Sequence, residues 1–165
     1  MDADRLYREH SAALFRYLHR LCGDPELAAD AVQETFLRLL DRPPGAEGVK
    51  AWLYRVGTNL VIERSRTSAR RLRLLARSPD RAPRQEAPDD PETEMERAER
   101  QREVRRALDA LPPRDRTVLL MRAEGFAHRE IAEAVGGTTQ SMGSILLRAY
   151  RKLAAQLNLN AGGPP

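Results

Sequence analysis

The chain has one cysteine, three histidines, 5% aromatic residues and no long apolar run. Each scarcity excludes something. A lone Cys22 forms no intramolecular disulfide, and with only His10, His19 and His128 beside it the sequence offers no metal-ligand spacing. His19 and Cys22 lie three apart on one helix face, a pairing that ordinary packing also explains. Nothing approaches the roughly 20 apolar residues that span a bilayer. Met1-Asp2-Ala3-Asp4 lacks the positive start of a secretory signal. These features predict a cytoplasmic protein without membrane insertion. Gly-rich phosphate loops and nucleophile–base pairs are missing too, so the reading is a non-enzyme without cofactor.

Arginine and helical periodicity are what the sequence has. At 165 residues, 41% hydrophobic and 32% charged, it is long enough for two small domains. The net charge is only +4, but the isoelectric point of about 9.7 favours phosphate-bearing partners. Eight arginines between Arg64 and Arg84 form a basic block, and seven acids between Glu86 and Glu99 follow. Such opposed blocks also describe a merely solvated connection.

Leu6, His10, Leu14, Leu18 and Leu21 predict an amphipathic helix that stops at Gly23. Asp24-Pro25 caps and opens a second, with Ala28, Val32, Phe36 and Leu39 or Leu40 as its stripe. A third starts near Val49, with Leu53, Val56 and Leu60 on one face and Trp52, Asn59 and Glu63 beside it. Prolines break every period from Ser78 to Pro91. The second half predicts helices over 92–111, with Val104, Leu108 and Leu111 inward, then from Pro113 to Gly125 with Val118, Leu119 and Met121, then over 128–135 and from Thr138 to about Leu157. No segment alternates with period two. The expected class is all-α: two small helical domains, 1–78 and 92–160, a linker over 79–91 and a loose tail over 161–165.

Glu130-Ile131-Ala132, the turn at Gly136-Gly137 and a Thr138-capped helix with Met142, Leu146 and Ala149 inward describe a helix-turn-helix. Thr139, Gln140, Ser141 and Ser144 stand at the end that enters a major groove, whereas Arg148, Arg151 and Lys152 suit phosphates.

"DAVQETFLRLL", "WLYRVGTNLVIERSR", "LDALPPRDRTVLLMRAEGFAHREIAEAVG" and "LLRAYRKL", in this order and spacing, resemble the extracytoplasmic-function sigma factors of bacterial RNA polymerase. The resemblance implies a promoter-melting region two, a linker and a helix-turn-helix region four. It implies that Asp30, Gln33, Glu34, Phe36 and Leu37 bind core polymerase at the beta-prime clamp, with Gln33, Glu34 and Leu37 exposed and Val32, Phe36 and Leu40 buried; the beta subunit is a further expected contact. It implies that Asn59 lies beside a pocket for a flipped minus-ten base, where an amide both donates and accepts. Trp52 and Tyr54 could stack unpaired bases, although for Trp52 the favoured reading is the anchor of the region-two core. Arg55, Glu63, Arg64, Arg66, Arg70 and Arg71 complete the implied minus-ten surface, with Glu63 where members usually show Asp. Thr138, Thr139, Gln140, Ser141, Ser144, Arg148, Arg151 and Lys152 form the implied minus-thirty-five surface. By the same likeness the linker threads the RNA exit path, or is a simple tether.

One departure stands out: Gly143 and Ile145 occupy recognition-helix positions where many members carry Lys and Arg. A mid-helix glycine costs about 1 kcal/mol relative to alanine, so close approach of a backbone is expected there. The expected function is promoter recognition and melting with core polymerase, with an anti-sigma factor as a further partner. The alternative is a sigma-like decoy that occupies such a factor without supporting transcription.

Overall fold

The computed structural model describes residues 2–45, 48–75 and 91–160, with side chains described over 2–45, 48–67 and 93–158. The expected linker and tail fall outside these residues, apart from Pro91. Among the described residues there are seven helices and no strand. Local chemistry sets most of their ends. α1 (Ala3–Cys22) opens where the Asp2 carboxylate accepts from Arg5 N–H and closes at left-handed Gly23, φ 72°, whose N–H donates to the His19 carbonyl. α2 (Pro25–Asp41) opens on the Asp24 carboxylate, which accepts from Glu26 and Leu27 N–H, with Pro25 in the first turn. α3 is Val49–Leu75. α4 (Pro91–Asp109), α5 (Pro113–Ala123), α6 (His128–Val135) and α7 (Thr139–Asn160) make the second half.

Helices α1–α3 pack into one bundle around Leu14, Tyr17, Leu18, Ala28, Val32, Phe36, Leu39, Leu53 and Leu60. Leu40 is not part of it. It is 60% exposed and Leu39 is fully buried. The stripe Ala28–Val32–Phe36 advances in steps of four residues, each drifting about 40° around the helix; only a step of three restores the inward direction. The α1–α3 contact is close because residue 57 is glycine. A Cβ there would stand 3.1 Å from Leu18 Cδ1 and 3.5 Å from Leu14 Cδ1. One residue on, Thr58 Oγ1 and the Tyr17 hydroxyl share a buried hydrogen bond of 2.8 Å, which satisfies both groups away from water.

Helices α4–α7 enclose Ala107, Leu111, Val118, Met121, Ile131, Met142, Leu146 and Ala149. Val104, expected inward, is 41% exposed, because the earlier turns of α4 extend beyond the helices that cover Ala107. Helix α6, the turn through left-handed Gly136 (φ 73°) and α7 form the expected helix-turn-helix. Among the described residues no helix is long and apolar enough to cross a membrane.

The two halves meet along a seam. Tyr54 stacks obliquely between Tyr17 and Phe126, with ring centroids 4.8 Å apart on each side, and the Lys50 ammonium lies 5.1 Å from the Phe126 ring. The Tyr54 hydroxyl donates to Glu124 Oε2 at 3.4 Å, and Arg20 stands 3.7 Å from the same carboxylate. Burial and the facing Glu124 charge push the Tyr54 hydroxyl up to about 12. Arg105 donates to the His19 carbonyl and Arg116 to the Leu21 carbonyl, each at 2.9 Å, so two guanidiniums close the last turn of α1.

Two predictions follow from this packing. Gly57→Val overfills the α1–α3 contact and is expected to destabilise the chain by about 1–3 kcal/mol in thermal unfolding. The same change at Gly45, where no described residue lies within 4 Å, is the comparison; equal effects at both sites would remove close packing as the cause. The second concerns His19, which stacks on Phe15 and whose pKa is lowered by burial and by Arg105, against the opposing pull of Asp24. A base lowered in the folded state contributes stability that is present above its unfolded value, about 6.5, and is lost as pH falls through the folded one. The seam should loosen as pH falls below about 6.5, seen as a larger hydrodynamic radius, and His19→Gln should flatten this response. An unchanged slope in that variant would assign the response to other groups.

Candidate nucleic-acid and polymerase-binding surfaces

The outer face of α2 carries exposed Asp30, Gln33 and Leu37, the last 61% exposed. Glu34 is partly covered and accepts from Arg38 Nε at 2.8 Å. Phe36 points the other way: it is 7% exposed and packs edge-on to Tyr7 at 4.9 Å. Sequence reading missed Leu40, which joins Leu37 in an exposed apolar pair. The signal was present in the drift of the stripe, which selects Leu39 for the core.

On α3, positions 52, 55, 59, 63 and 66 follow one another by three or four residues and so share a side of the helix. Trp52, at the start, is buried. Arg55 is half-buried, and Asn59, Glu63 and Arg66 are exposed. This leaves the Asn59 amide, a donor and an acceptor, in front of an open helix face flanked by charge. Arg64 is half-buried, and the side chains of Arg70 and Arg71 lie outside the described residues. Tyr54 is 1% exposed and belongs to the seam, away from the Asn59 side. Its partners Phe126, Glu124 and Lys50, together with Arg105 and Arg116, were not singled out in the sequence; only the folded chain brings them to Tyr54 and α1.

At the helix-turn-helix, Thr138 Oγ1 accepts from Ser141 N–H at 3.2 Å, and the two hydroxyls are 2.9 Å apart, so this pair forms the N-cap of α7. Thr139, Gln140 and Ser144 are exposed. Arg148 and Arg151 follow on the solvent side, with Arg148 Nε donating to the Ser144 carbonyl at 3.4 Å. Lys152 is held by Asp115, which anchors α7 to α5. Ile145 packs partly against the core. The close backbone approach expected at Gly143 is absent among the described residues: none of them lies within 4 Å of where its Cβ would stand. Arg114, not anticipated, has its guanidinium 3.1 Å from the corresponding point at Gly137, beside the turn that precedes the recognition helix.

Residues 6–71 match the Sigma-70 region 2 family and residues 101–153 match Sigma-70 region 4. Over 164 residues the chain is 33% identical to the extracytoplasmic-function RNA polymerase sigma factor SigL of Mycobacterium tuberculosis, covering 93% of this chain and 89% of that one. It is 32% identical over 154 residues to the sigma factor SigE of Mycolicibacterium smegmatis, with 90% of this chain aligned but only 57% of that longer protein. Its fold is similar to that of the sigma factor RpoE solved with the anti-sigma factor NepR from Bartonella quintana, with TM-score 0.70, 22% identity, and 95% and 97% of the two chains covered. The chain belongs to the extracytoplasmic-function sigma factors, the group of proteins that act in transcription initiation.

Proposed function

We propose that the chain is a dissociable promoter-specificity subunit that acts in the cytoplasm with core RNA polymerase and is not itself an enzyme. In this reading residues 1–78 dock on the beta-prime clamp and melt the minus-ten element, residues 79–91 link, residues 92–160 read the minus-thirty-five element and residues 161–165 are a tail. The observation that supports it most is the presence of both family regions in order, together with open faces on α2, α3 and α7. Gln33 and Leu37 lie outward on α2, Asn59 and Glu63 lie outward on α3, and Thr139, Gln140 and Ser144 lie outward at the start of α7. An exposed amide can pair with one base edge, and water takes the place of that edge when DNA is absent. A protein of the same fold, RpoE, is solved in complex with an anti-sigma factor, and we extend such a partner to this chain.

Run-off transcription with purified core polymerase on fragments of the source genome tests the reading directly, and absence of any initiated transcript, with core binding intact, would favour the decoy. Two substitutions localise the surfaces. Gln33→Arg with Leu37→Arg changes only exposed positions, so the variant should stay helical by circular dichroism yet lose core polymerase in a pull-down; retained binding would exclude clamp docking through α2. Asn59→Ala should slow open-complex formation and relax base preference at one minus-ten position by roughly 1–3 kcal/mol. Unchanged preference at every position would make Asn59 a surface polar group only.

A further inference from the structure

From Gly136 to Leu147 the helix-turn-helix carries no charged side chain; the first on α7 is Arg148. The row facing away from buried Met142, Leu146 and Ala149 begins with Gln140, Ser144 and Leu147, all exposed, and Leu147 is 52% exposed. Gln140 and Leu147 are seven residues apart, so they point within about 20° of each other and lie about 10.5 Å apart along the axis. On the same exposed side Gly143 leaves open space where its neighbours carry side chains.

We propose that α7 reads its upstream element through A·T pairs, with Gln140 as the adenine-reading amide, Leu147 packed on a thymine methyl and Gly143 setting how deeply the helix sits. This rests on the region-four reading above. Guanine is most often read by an arginine or lysine fork, adenine by a bidentate Asn or Gln, and thymine by an apolar contact with its methyl group. Residues 139–147 of α7 contain the second and third devices and lack the first. The nearest cations are otherwise placed: Arg148 donates to the Ser144 carbonyl, Lys152 is held by Asp115, Arg114 lies beside the turn, and exposed Arg151 stands a full turn beyond Leu147. The separation of Gln140 from Leu147 corresponds to about three base-pair steps of 3.4 Å for a helix lying along the groove. Gly143, between them, keeps the helix backbone from being held off the base edges by a side chain, which gives its low helix propensity a use.

The experiment uses the full chain assembled with core polymerase and a pool of promoter duplexes in which both elements are randomised. Bound duplexes should show an upstream block containing an adenine with a thymine about three steps away, and no required guanine in that interval. Gln140→Ala, an exposed position whose folding is checked by circular dichroism, should lower the preference for that adenine about tenfold, and Leu147→Ala should relax only the thymine. Gly143→Lys should bring guanine into the enriched block and steepen the salt dependence by about 0.9 per added phosphate contact if the lysine turns to the backbone instead. An upstream block led by guanine and indifferent to Gln140→Ala overturns the A·T assignment while leaving region four a sequence reader. Enrichment confined to the minus-ten block overturns both, and would leave the uncharged face of α7 for a protein partner.

Discussion

The corner between α4 and α5 depends on one guanidinium. Arg116 donates to the carbonyls of Leu108, Asp109 and Leu111, which are the open end of α4, and with its remaining nitrogen to Leu21 at the open end of α1. Helices leave their last carbonyls without internal partners, and a carbonyl withdrawn from water without a donor is costly. A planar fork with five N–H groups serves several such oxygens from one point, which a lysine cannot do. The Pro112-Pro113 junction contributes no N–H of its own, so the arginine supplies what the backbone lacks. It fixes the direction in which α5 leaves α4, and with it the platform on which the helix-turn-helix stands.

Helix α3 shows how a single element serves three surroundings. Leu53 and Leu60 face the bundle, Tyr54 faces the second half of the chain, and Asn59 and Glu63 face solvent. Gly57 allows this helix to lie close enough to α1 for the Tyr17–Thr58 hydrogen bond to form. The exposure of the Asn59 side is thus a product of packing on the opposite side. Helix α7 repeats the arrangement: Met142, Leu146 and Ala149 hold it against α5 and α6, and the polar start of the helix is left outward by default.

Those features that depend on neighbours in sequence were legible. Asp24-Pro25, Gly23, Gly136 and the Thr138 cap act within four residues of themselves and stand where the sequence places them. The inner residues of α7 were legible because one strong period selects them. Leu40 and Val104 were misassigned because a stripe read by eye ignores both helical drift and where a covering helix ends. The seam was not legible at all: Tyr54 and Glu124 are 70 positions apart and Arg116 and Leu21 are 95 apart, and no local rule couples them. The same is true of Gly143, whose open surroundings only the folded chain reveals.

Because Tyr54 and Phe126 belong to one polypeptide, their meeting is unimolecular. Tethering of this kind gives two halves an effective concentration on the order of millimolar with respect to each other. Contacts as modest as one oblique ring stack and a few hydrogen bonds can therefore keep the seam occupied, although separate halves at cellular concentration would remain apart. Any molecule whose binding requires that seam to part competes with this internal concentration, and its apparent affinity is reduced by the fraction of chains that are closed. The seam thus acts as a set-point: the residues on its two sides determine how much of such a partner is required to open the chain.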